Sequence, residues 1–126
     1  MPRSCLSLLL CLLLATNLWA KGKTLLDYRS ELQLSDTQYR VTEQLLKNFK
    51  SELLRLQQAL SSQEVTFRKL VSNQAELTEI RQQLQSIQQT RIALRMLDIS
   101  TARELEANLT VEQRNKWSEI QKASQK

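Results

Sequence analysis

From Tyr39 to Leu70 the side chains that avoid water recur in alternating steps of three and four: Tyr39, Thr42, Leu46, Phe49, Leu53, Leu56, Leu60, Gln63, Phe67 and Leu70. Eight of these ten positions are apolar or aromatic, and Thr42 and Gln63 are the polar insertions. A mean spacing of about 3.5 residues sets all of them on one seam of an α-helix. The pattern passes through Ser61-Ser62 without a slip, so it predicts one long helix and not two short ones. With a rise of about 1.5 Å per residue, such a helix is on the order of 50 Å long. A compact globule cannot bury it, and its seam needs a helical partner of similar length.

The second half of the chain supplies that partner. Leu77, Ile80, Leu84 and Ile87, then Leu94, Leu97, Thr101 and Leu105, form an apolar stripe over residues 74–108. The stripe is interrupted at Arg91 and resumes in a shifted phase, as a stutter produces. Asn73 is the best left-handed stop between the two helices. A tight turn there makes them antiparallel, an αα-hairpin in which facing residues have numbers summing to about 146. Leu97 then lies near Phe49, and Ile92 near Leu54. The segment Ile92–Ile99 is apolar nearly all round, and the facing set Leu45, Leu46, Phe49, Leu53 and Leu54 is also broad. A helix apolar on more than one face is contacted on more than one face, so either the terminal helices fold over this region or another subunit docks there. The glutamine-rich run Gln82–Gln89 reads as solvated surface.

Helix starts are marked clearly. In Leu34-Ser35-Asp36-Thr37-Gln38 the Ser35 and Gln38 pair has the register of a capping box, with Leu34 placed to staple against Tyr39 and Asp36 at the positive end of the helix dipole. Leu109-Thr110-Val111-Glu112-Gln113 repeats the arrangement with Thr110 and Gln113. Thr24 and Asp27 could cap a short helix bearing Leu25, Leu26 and Leu32. The expected helices cover residues 25–32, 36–71, 74–108 and 111–123, with Val111, Trp117 and Ile120 as the buried face of the last. The expected fold is all-α: a long antiparallel helical hairpin with short terminal helices, in one domain over residues 21–126.

Residues 1–20 read differently. A basic start at Arg3, an apolar run from Cys5 to Ala15 and a small residue at Ala20 describe a cleaved secretory signal peptide, too short to span a bilayer. Its removal takes both cysteines, Cys5 and Cys11, so the exported chain uses no disulfide. The remaining 106 residues carry 17 basic and 13 acidic side chains, a net +4, and no histidine. The charges are interspersed, which argues for a solvated helical surface and against nucleic-acid binding.

The two capping motifs resemble the repeated L-T-x-x-Q motif of the Spy/CpxP family of bacterial periplasmic proteins. The second copy matches fully and the first has Ser35 where the family has Thr. Two copies flanking a long helical hairpin behind a signal peptide extend the resemblance over the whole mature chain. It implies a periplasmic all-α hairpin, often a homodimer. Family members include ATP-independent chaperones, envelope-stress adaptors and metal-responsive sensors of the CnrX and ZraP kind. Within the motifs, Leu34, Ser35, Gln38, Leu109, Thr110 and Gln113 are accounted for by capping. Asn108-Leu109-Thr110 also fits a glycosylation sequon, but Thr110 is better used as a cap.

The residue inventory separates these functions. Metal sensors use His, Glu and Met or Cys, and the mature chain offers neither His nor Cys and a single methionine, Met96. Glu76/Glu79 and Glu104/Glu106 lack the density that a hard cation needs. No thiol nucleophile, histidine base or Gly-rich phosphate loop is present, so no enzyme and no cofactor is expected. A protein-binding role needs only a surface mixing cations with apolar groups. Its candidates are Leu45, Leu54, Ile92, Met96 and Ile99 with Arg40, Lys47 and Arg95, a set that could equally be a dimer surface. Unfolded or signalling proteins are the expected partners. A metal-responsive sensor and a passive coiled-coil spacer are the alternatives.

Overall fold

The structure, a computed structural model, describes residues 24–125. The leader read over residues 1–20 lies outside them. A 3-10 turn, Leu25–Tyr28, is followed by α1 (Arg29–Leu32), α2 (Asp36–Ser72), α3 (Leu77–Ala107) and α4 (Val111–Ser124), and among the described residues there is no strand. The chain divides into two compact units. One takes the residues up to Glu43 and from Glu106 onward, and the other is Gln44–Leu105.

The terminal unit has its own core. Leu25, Leu32, Leu34 and Leu109 are buried together, with Tyr28, Trp117 and Ile120 packed against them. Tyr28 and Trp117 meet edge to face with ring centroids 5.7 Å apart. Thr24 starts the 3-10 turn: its hydroxyl accepts from the Leu26 N–H, and its own N–H donates to the Asp27 carboxylate at 2.6 Å. α1 ends at Gln33, which adopts the left-handed region with φ 53°. The Gln33 N–H then donates to the Ser30 carbonyl and the Leu34 N–H to the Arg29 carbonyl, a Schellman stop. That stop turns Leu34 into the core, while the Tyr39 ring carries the Arg29 guanidinium 4.4 Å above its centroid. Leu34 is thus a core residue of this unit, beyond the staple expected of it. Val111 is 64% exposed, contrary to its expected burial. It sits about a third of a turn from Trp117 and about half a turn from Ile120 around α4.

The second unit is a hairpin of the remaining lengths of α2 and α3. Along α2, Phe49 and Leu56 are buried, and Leu46, Leu53, Leu60, Gln63, Phe67 and Leu70 are half-buried. The helix continues through Ser61-Ser62. On α3 the inward positions are Ile80, Gln83, Ile87, Thr90, Leu94, Leu97, Thr101 and Leu105. This corrects the expected stripe. Leu77 is 81% exposed, Leu84 faces solvent on the flank, and no stutter occurs at Arg91. The seam passes instead through Gln83 and Thr90, whose polar groups find main-chain partners. The Thr90 hydroxyl donates to the Ser86 carbonyl at 3.2 Å, and the Gln83 amide donates across the hairpin to the Gln63 carbonyl at 2.8 Å. Arg91 leaves the seam to pair with Glu64 at 3.1 Å.

The Gln63–Gln83 contact has the antiparallel register expected for facing residues. The Arg91–Glu64 contact overshoots it, because both long side chains lean toward the N-termini of their own helices. The turn between the helices is longer than expected. Gln74, not Asn73, adopts the left-handed region with φ 54°. The Gln74 N–H donates to the Val71 carbonyl and the Ala75 N–H to the Leu70 carbonyl, a second Schellman stop. α3 consequently starts at Leu77 and not at residue 74.

Candidate functional site

Both capping boxes are formed within the terminal unit. The Gln38 N–H donates to the Ser35 hydroxyl at 3.1 Å, and the Ser35 N–H donates to Gln38 Oε1 at 3.0 Å. The Gln113 N–H donates to the Thr110 hydroxyl at 3.2 Å, and the Thr110 N–H to Gln113 Oε1 at 2.9 Å. The leucines that precede the caps, Leu34 and Leu109, are buried in the same core.

Capping is only half of what the two glutamines do. Gln38 Nε2 donates to Gln113 Oε1 at 2.8 Å, and Gln113 Nε2 donates back to Gln38 Oε1 at 3.2 Å. Each amide also reaches a main-chain carbonyl at the other motif: Gln38 to Asn108 at 2.9 Å, and Gln113 to Leu32 at 3.0 Å. Each carboxamide therefore fills both its donor and both its acceptor positions. The Asn108 amide completes the network by donating to the Gln38 carbonyl at 3.0 Å and to the hydroxyl of the fully buried Thr42 at 3.2 Å. This network explains how Thr42 can occupy an apolar seam, and it engages the side chain of the apparent sequon. Sequence reasoning assigned the motif residues to capping alone and missed the roles of Thr42 and Asn108. The available signal was the coincidence of a polar seam residue with a repeated motif.

Within the second unit the candidate binding residues do not form one surface. Leu45 is half-buried in the seam of the hairpin. Leu54, 56% exposed, and Lys47 stand on the outward face of α2. Arg40 is exposed in the terminal unit. Ile92, Met96 and Ile99 do belong together. They are spaced four and three residues apart on the face of α3 opposite the seam, and are 61%, 55% and 45% exposed. Arg95 is exposed at the edge of that face, which Arg81 and Arg103 bracket. Leu54 and Ile92, expected as neighbours, lie on outward faces that point away from each other.

Between Arg81 and Arg103 the one acidic residue is Asp98, half-buried toward the seam. Burial raises its pKa above the ordinary carboxylate value, and the nearby Arg95 guanidinium opposes the shift. Between Arg81 and Arg103 the outward face of α3 is therefore apolar and cationic. Among the described residues no group of three or more His, Cys, Asp or Glu side chains gathers to hold a metal ion. None of the described helices is long and apolar enough to cross a membrane. No family model, curated protein or solved structure matches the chain.

Proposed function

We propose that the chain is a periplasmic protein-binding protein of the Spy/CpxP kind, an ATP-independent chaperone or envelope-stress adaptor. The observation that carries this reading is the outward face of α3, where Ile92, Met96 and Ile99 are exposed together beside Arg95. Such a face attracts acidic, partly unfolded chains by charge and holds them loosely by apolar contact. The work is binding, so no catalytic group is needed. The repeated motif supports the resemblance, because its two glutamines are built into one network. The resemblance also implies a homodimer.

The test is the aggregation of a chemically unfolded protein with and without mature residues 21–126, no nucleotide being added. Suppression at near-stoichiometric ratio is expected, and Ile92→Glu or Met96→Glu should weaken it while the circular dichroism stays helical. No suppression at large excess would sink the reading in favour of a dedicated signalling partner or a spacer. Sedimentation equilibrium of the same variants identifies what the face binds. If Ile92→Glu turns a dimer into a monomer, the face is a contact between copies of the chain and not a client surface.

A further inference from the structure

We propose that Met96 is a modification site, oxidised by hydroperoxides to the sulfoxide, and that this oxidation turns off the apolar face of α3. The proposal rests on the protein-binding reading of that face and adds a chemical control to it. Met96 is 55% exposed and flanked on the same face by Ile92 and Ile99. It is the sole sulfur among the described residues, since Cys5, Cys11 and Met1 precede them. With no cysteine among the described residues, the thioether is the side chain most open to oxidation by a hydroperoxide.

The reaction is a two-electron oxygen transfer. The sulfur lone pair attacks one peroxide oxygen, the O–O bond breaks and an S–O bond forms. Sulfur is oxidised, and the remaining peroxide oxygen leaves as water or an alcohol after taking up a proton. The product is polar where the thioether was apolar. Its position makes this a change of surface and not damage to the fold. Met96 points away from the seam, whose neighbouring members Leu94 and Leu97 face inward. The helical hairpin should therefore survive while the middle of the Ile92–Met96–Ile99 row becomes hydrated. Reduction of the sulfoxide by a thiol-dependent reductase restores the original surface.

The experiment treats the purified protein with hydrogen peroxide and follows three readouts. Peptide mass mapping should place one added oxygen on the Met96 peptide, at a rate close to that of free N-acetylmethionine. Retention on a hydrophobic-interaction column should fall after oxidation in the wild type and stay unchanged in peroxide-treated Met96→Leu. Client capture by the oxidised protein should weaken roughly five- to tenfold, the loss expected when about half of one apolar side chain's burial is forfeited at an interface. Methionine sulfoxide reductase should reverse both changes, and Met96→Gln should imitate them. Slow oxidation, or unchanged column retention in fully oxidised protein, would overturn the proposal. If the untreated protein captures no client, the protein-binding reading fails, and column retention still decides whether oxidation switches the face.

Discussion

Gln38 and Gln113 each use four hydrogen-bonding positions in an environment shared with buried leucines, so neither tolerates an isosteric change of chemistry. Gln38→Glu keeps the shape but removes both donors and sets a carboxylate oxygen against Gln113 Oε1 and the Asn108 carbonyl. A loss of about 1–3 kcal/mol in unfolding free energy is expected, because the partners lose donors in a part-buried network. Urea midpoints of the two proteins measure it, and acidification should recover part of the loss as the protonated carboxyl becomes a donor again. Asp98 behaves in the opposite sense from a salt-bridged carboxylate. Its folded-state pKa is raised by burial, so the folded state holds the proton more tightly than the unfolded state. Its contribution to stability is present below the unfolded-state pKa and is lost as pH rises through the raised folded value. Asp98→Asn should then be more stable than the wild type at neutral pH, and thermal melts of the two should converge in acid.

Among the helices, the two that end in Schellman stops do so on glutamine, at φ 53° and 54°. A side chain with a Cβ pays a steric penalty there that glycine avoids. Gln74→Gly should therefore stabilise the hairpin by roughly 0.5–1 kcal/mol, after the greater freedom of glycine in the unfolded chain is subtracted. A midpoint that falls would mean that the glutamine side chain makes a compensating contact. The seam of the hairpin carries a different cost. Gln63 Oε1 and Arg91 Nε are buried without a hydrogen-bond partner. Gln63→Leu removes the first of these while leaving the Gln63 carbonyl free to accept from Gln83, and should raise stability by about 1 kcal/mol. The periodicity of α2 was legible because its seam is nearly all apolar. That of α3 was not, because Gln83 and Thr90 are inward while Leu77 and Leu84 are outward. A pattern count cannot tell a polar seam residue with a main-chain partner from a solvated one.

At the scale of the whole molecule the charge is a modest net +5 for the full sequence, and none of it is concentrated in a block. Electrostatic attraction under the protein-binding reading is therefore spread along faces such as that of Arg81, Arg95 and Arg103, and it is open to screening. Capture of an acidic client should exceed that of a basic client of equal size at low salt. The difference should vanish near 1 M salt, where the Debye length is about 3 Å, leaving the apolar part of the affinity. Light scattering during client aggregation across a salt series gives both quantities. A salt-independent preference would place the discrimination in shape or in apolar matching.

The chain by itself determined what depends on neighbours three or four residues apart: the helical seam of α2, the two capping boxes and the all-helical class. Spacing and cap chemistry are local, and the backbone answers to them wherever the segment lies. Only the tertiary structure decided which polar residues belong inside, since Thr42 and Gln83 become acceptable there by meeting Asn108 and the Gln63 carbonyl. It alone joined Gln38 to Gln113, 75 residues apart, and separated Leu54 from Ile92. These outcomes depend on where two helices come together in space, and a one-dimensional pattern of apolar positions does not carry that direction.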